Sequence, residues 1–205
     1  MAIYWIGIIV GALLYPGGFS MTGVYVSYLG GNLENPEGYR FYNACVFLTG
    51  FLLIPHFLFL YRRLGENPKF LNIIAIFFGI IGCVGFSFVG VFHQGVPGTS
   101  HGTATLFAFG GFGASALFLL IVFLRKRALK ESYPSWGQLI SVYGFLLGVL
   151  TLIVLLDSFS ELFQSWGIPE EYFGDRFLEW WYLFVVMGWL IGILIITPDS
   201  IEKGK

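Results

Sequence analysis

The chain has 205 residues, of which 57% are hydrophobic and 20% aromatic but only 11% charged. A soluble domain carries about a quarter charged residues, so this composition excludes a water-solvated globule and makes lipid the main solvent. The net charge of −1 leaves no basic excess for a nucleic-acid partner, and the two cysteines, Cys45 and Cys83, sit inside apolar runs without a disulfide or zinc pattern around them.

The opening stretch, MAIYWIGIIVGALLYPGGFS, has no basic leader and no small-x-small cleavage site, and is expected to be retained as a helix. A helix needs about 20 apolar residues to cross a hydrocarbon core roughly 30 Å thick. Six segments qualify in chain order: Ile3–Val24, Phe41–Tyr61, Phe70–Phe92, Thr103–Leu124, Leu139–Leu156 and Phe177–Ile196. Pro16, Gly17 and Gly18 interrupt the first and predict a kink or local unwinding there. Pro55 predicts a milder kink in the second. The expected fold is all-α: one domain, residues 1–205, forming a polytopic bundle of six transmembrane helices.

Basic residues orient the bundle. Arg62, Arg63 and Lys69 follow span two; Arg125, Lys126, Arg127 and Lys130 follow span four; Lys203 and Lys205 lie in the tail. Only Arg40 and Arg176 fall on the other side. The positive-inside rule therefore predicts both termini in the cytoplasm, with the basic loops meeting anionic head groups of a cell membrane. The outer side receives YLGGNLENPEGYR, HQGVPGTSH and DSFSELFQSWGIPEEYFGDR, which carry most of the acidic residues and two of the three histidines.

Small residues four apart predict helix contacts: Gly7 with Gly11, Gly144 with Gly148, Gly188 with Gly192, and Ala104, Ala108, Gly110 and Ala114 in span four. Trp5, Trp136, Trp166, Trp180 and Trp181 lie near span ends and read as an interfacial belt, with phenylalanines toward lipid.

The outer polar groups are the candidates for function. His93 ends span three and His101 begins span four, so both imidazoles lie at nearly the same depth on a short hairpin. Two histidines alone are a weak metal motif, because a catalytic zinc takes three protein ligands; no cofactor is expected. Asp157 closes span five and Glu179 opens span six, where the helix dipole alone would favour a carboxylate. His56 lies beside Pro55 toward the inner side and reads as a satisfied polar residue at a kink. No Asp, Glu, Lys or Arg lies mid-span, which weakens a proton-coupled or ion-conducting path.

SYLGGNLENPEGYRFYNACVFLTG, Ser27 to Gly50, resembles the first-loop pattern Ser-x-Leu-Gly, Asn-Pro, Phe-x-Asn of a bacterial and archaeal six-span membrane family of unknown function. With GFSFVGVFHQ, HGTATLFAFGG and FLEWWYLFVVMGW, it is also similar to the eukaryotic damage-regulated autophagy modulators. That family includes Sfk-type plasma-membrane proteins and a Golgi (Frag-type) protein needed for lipid remodelling of GPI anchors. The matching positions are Ser27, Gly30, Asn35, Pro36, Asn43, His101 and Glu179; His93 departs from the pattern. The resemblance implies work on membrane lipids, in their processing or their distribution between leaflets.

The leading expectation is a protein that binds a lipid or lipid-linked head group at the extracytoplasmic face. Its contacts are drawn from Ser27, Asn32, Asn35, Asn43, His93, His101, Asp157 and Glu179. The same residues serve a non-enzymatic binder, or a lipid hydrolase or acyltransferase with His101 as general acid/base oriented by Glu179 or Asp157. The rival from another class is a scaffold or assembly factor that holds a protein partner through ELFQSWGIPEEYFGDR. A small-solute transporter comes third.

Overall fold

The computed structural model of the chain describes residues 1–65, 68–94, 100–129 and 134–197. The fold is all-α. Among the described residues five helices are long and apolar enough to cross a membrane: α2 (Tyr39–Leu64), α3 (Lys69–Val91), α4 (His101–Ala128), α5 (Trp136–Ser158) and α7 (Asp175–Ile196). They are preceded by a short helix α1 (Ala2–Leu13), and α6 (Ser160–Ser165) bridges α5 and α7. The central turn of the expected hairpin, residues 95–99, and Lys130, Lys203 and Lys205 lie outside the described residues.

The first segment differs from its expected range. Helix α1 stops at Leu13, not near Val24, because Gly17 and Gly18 take φ of 75° and 93° just after Pro16. Left-handed backbone cannot continue a right-handed helix. Twelve residues rise about 18 Å, short of a hydrocarbon core. The chain then runs irregularly to a 3₁₀ turn, Val26–Gly30, before α2. Helix α2 passes Pro55 without a break and ends at Gly65, whose φ of 68° stops it.

Consecutive helices α1, α2, α3 and α4 pack side by side, while α5 leans on α7. The α2–α3–α4 contact is built on glycine. A Cβ on Gly50 would sit 2.5 Å from the backbone nitrogen of Ser87, and one on Gly82 would sit 2.5 Å from the ring of Phe112. Side chains at Gly85 and Gly111 would overlap the facing backbone at Ala108 and Gly82. Such approach is how helices associate in lipid, where burial of apolar surface supplies no net drive between them. The room left by Gly79 and Gly82 is filled by Phe57 and Phe112, whose rings stack with centroids 6.1 Å apart.

Several packing expectations change. Gly7 and Gly11 do meet α2 at Cys45 and Tyr42, and Gly188 and Gly192 meet Phe145 and Val142 of α5. Gly110 and Gly148 have open space where a side chain would go, and Gly144 meets only its own helix. Trp180 is not interfacial: it is 1% exposed and donates Nε1–H to the Val24 carbonyl at 3.0 Å. Lys126 is buried too, its ammonium donating to the Leu64 carbonyl at the end of α2. Arg63 likewise donates to the Leu194 carbonyl near the end of α7. Carbonyls in the last turn of a helix have no partners within it, and cations there offset the negative end of the dipole. These residues fasten helix ends and are not simply presented to head groups.

Helix α5 is the loosest member. Leu139 and Tyr143 are its only buried residues, and Tyr143 donates its hydroxyl to the Ala116 carbonyl of α4. The remainder of α5 presents Ile140, Phe145, Leu147, Leu152 and Leu155 to the surroundings. An apolar surface of this extent marks a face covered by membrane or by a protein neighbour.

Candidate functional site

At one end of the bundle α2, α4 and α7 begin and α3 and α5 finish, with Arg40 and Arg176; the other end holds Arg62, Arg63, Lys69, Arg125, Lys126 and Arg127. The 3₁₀ turn Val26–Gly30 lies at the first end and is fixed from two sides. From below, Asn35 is fully buried: its Nδ2 donates to the carbonyls of Gly11 and Leu29, both at 3.0 Å, and its Oδ1 accepts from the Gly38 N–H at 3.2 Å. Asn43 adds a bond from Nδ2 to the Gly30 carbonyl at 2.9 Å.

The second fixing comes from α7, whose Arg176, Glu179 and Trp180 share one helical face by their spacing. Arg176 donates to the Gly23 carbonyl at 2.9 Å and covers the ring of Tyr25, and Trp180 holds Val24. Glu179 Oε2 accepts from the Val26 N–H at 2.8 Å, and Ser27 lies beside the same carboxyl. Glu179 therefore caps the 3₁₀ turn from another helix, satisfying an N–H group that the turn itself leaves without a partner. The first-turn position that the helix dipole favours belongs to Asp175, where α7 begins, and not to Glu179 as its place near the start of the span suggested.

Next to this clasp is a cavity of about 450 Å³. Four of the residues singled out in the sequence line it: Ser27, His101, Asp157 and Glu179. Helical spacing adds others that sequence reasoning missed. Thr105 and Phe109 follow His101 on the same face of α4, and Asp175, Leu178, Tyr182 and Leu183 share the face of Glu179 on α7. Tyr4 and Tyr42 complete the wall, their hydroxyls 3.4 Å apart. An i±4 rule applied to His101 and Glu179 would have found Thr105 and Asp175; no local signal marks Tyr4.

His101 is the first residue of α4, and its Nδ1 lies 2.8 Å from the Phe92 carbonyl at the end of α3. A carbonyl can only accept, so Nδ1 carries a proton in this bond, and Nε2 is the ring nitrogen left to face the cavity. The bond fixes both tautomer and ring plane. Nε2 can then accept a hydrogen bond from a ligand or take up a proton.

The other candidates lie elsewhere. His93 packs its ring on Tyr39, places Nδ1 3.1 Å from the Gln94 carbonyl, and lines a separate recess with Arg40 and Asn43. It does not share the cavity of His101. Asn32 and Asn35 do not line that cavity either, and Asn35 spends its donors and acceptor on backbone. Among the described residues no group of three or more His, Cys, Asp and Glu could hold a metal ion.

The model of one family, described as a protein of unknown function (DUF998), matches residues 1–196. No curated protein and no solved structure matches the chain.

Proposed function

The chain belongs to the DUF998 family of membrane proteins of unknown function, and from that premise we propose that it binds a lipid or lipid-linked head group in the cavity beside Ser27, His101, Asp157 and Glu179. The observation that carries this reading is the convergence of these four groups, from the 3₁₀ turn, α4, α5 and α7, on one cavity at the end remote from the basic residues. A volume of about 450 Å³ falls in the range of small-molecule sites. The basic end faces the cytoplasm, so the cavity opens at the outer leaflet. Helix α1 runs antiparallel to α2, with Gly11 against Tyr42 and Gly7 against Cys45, and directs the N-terminus toward the basic side as a sixth, partial crossing.

Should the site be catalytic, His101 Nε2 is the general base. The similarity of the quoted motifs to the damage-regulated autophagy modulators is in keeping with a lipid ligand.

Thr105→Trp tests the reading, since an indole at that position fills the cavity without touching the clasp. Gently purified wild type is expected to carry a lipid detectable by mass spectrometry, and the variant to lose it. The same lipid in equal amount on both proteins would refute the site.

A protein partner has a narrower basis. Trp166 and Tyr172, 65% and 54% exposed, stand beyond α5 with Ile168. A scaffold would use this surface, and replacing Trp166 and Tyr172 by serine should then abolish complex formation.

A further inference from the structure

We propose that the ligand is a single-chain lipid with an amine head group, its head among the acidic residues of the cavity and its alkyl chain in the seam between α4, α5 and α7. The proposal rests on the cavity being a head-group site and goes on to assign charge and shape to what fills it.

The charge follows from what lines the cavity. Asp157, Asp175 and Glu179 are there, and none of the lining residues is Lys or Arg. The two arginines at this end are turned elsewhere. Arg176 is held by the Gly23 carbonyl and Tyr25, and Arg40 donates to the Tyr39 hydroxyl beside the other recess. A phosphate or carboxylate head would meet three carboxyl groups with no Lys or Arg among the lining residues to offset them. An ammonium would meet its complement, and the rings of Tyr4, Tyr42 and Phe86 supply the faces on which such cations settle. His101 Nε2 and the Thr105 hydroxyl remain as hydrogen-bond acceptors for N–H groups.

The shape follows from a second cavity, of about 170 Å³, lined by α4, α5 and α7. It shares Phe109 and Tyr182 with the first, and their rings, meeting edge to face at 4.7 Å, stand between the two cavities as the partition a chain would have to turn aside. Beyond that pair the walls are apolar, from Phe112 and Ala116 to Leu120, with Leu146 and Leu150 of α5 opposite. From Phe109 to Leu120 the seam runs about 16 Å along α4, enough for one extended alkyl chain. A cavity that carries acidic groups on mainly apolar walls, with a smaller apolar one directly behind the Phe109 and Tyr182 rings, fits an amphiphile with one tail better than a two-tailed lipid.

The test uses the full chain in phosphatidylcholine nanodiscs and competition against a fluorescent long-chain amine. Octadecylamine is expected to compete at least tenfold better than octadecanol, and stearate worst. Asp157→Asn with Asp175→Asn, both at exposed positions, should weaken octadecylamine about tenfold and leave octadecanol unchanged. Gly113→Trp, whose side chain enters open space in the seam, should exclude octadecylamine but still admit hexylamine. Stearate binding as well as the amine, or an unchanged affinity in the double variant, would overturn the charge assignment while leaving a head-group site in place. Equal exclusion of hexylamine and octadecylamine by Gly113→Trp would overturn the course of the chain. Binding of every probe undiminished in Thr105→Trp, by contrast, would remove the site itself. Melting temperatures within a few degrees of wild type certify that each variant is folded.

Discussion

Asn35 and Glu179 show how far a polar residue's role depends on backbone that is distant in sequence. Asn35 meets two carbonyls and one N–H from three different segments, so replacing it leaves three buried backbone groups without partners. Each such loss costs about 1–3 kcal/mol. Asn35→Ala is therefore expected to destabilise the fold by about 3 kcal/mol or more, read as a lower melting temperature in detergent, with lipid binding lost only as a consequence. Glu179→Gln keeps an oxygen that can accept from Val26 and should retain the fold, whereas Glu179→Ala releases the 3₁₀ turn; limited proteolysis between residues 14 and 38 distinguishes the two. The sequence marked both residues as polar and near span ends. It could not mark Asn35 as a structural hub, because its demand for partners becomes visible only when Gly11, Leu29 and Gly38 are brought around it. His101 was more legible, since a histidine that starts an apolar helix has few places to go.

At the scale of helices, the five long spans were readable because crossing a bilayer needs a continuous apolar run, and that requirement is written in composition. The end of α1 was not. Phe19, Met21 and Val24 extend the apolar run past Pro16 whether or not the backbone stays helical, and composition does not report φ. The α3 glycines escaped notice for a related reason. Gly79, Gly82 and Gly85 recur every three residues, not every four, yet they make room for Phe57, Phe112 and the Ala108 backbone. Gly85→Leu should place a side chain in the Ala108 backbone and cost several kcal/mol, beyond the usual 1–3 kcal/mol of overpacking because backbone cannot rotate away. Gly148→Leu, with nothing near it, should leave the melting temperature within a few degrees of wild type.

For the whole molecule, the orientation has a direct check. Both cysteines, Cys45 and Cys83, are buried, so the native chain serves as a background for single-cysteine labelling. A membrane-impermeant maleimide added to intact cells should label Gln164→Cys in α6 and fail to label Leu129→Cys until the membrane is opened. The opposite pattern would invert the bundle and place the cavity at the inner leaflet. Charge bias gives the expected orientation, but it hid a second use of the same residues. Lys126 and Arg63 are bolts between helix ends as well as orienting charges, so removing them to flip the topology would also loosen α2 against α4 and α7.

The attachment of α5 has a mechanical consequence. Glycine contacts weld α3 to α4 as a single stiff stave, whereas α5 rests on α7 and holds α4 by the Tyr143–Ala116 bond near its basic end. Asp157, at the cavity, is about 21 Å farther along the same helix. A helix pinned low and bounding a chamber high is a lever. A tilt of a few degrees about Tyr143 widens the chamber by an ångström or more without breaking that pin, and it does so sideways, into the leaflet where a lipid would be waiting.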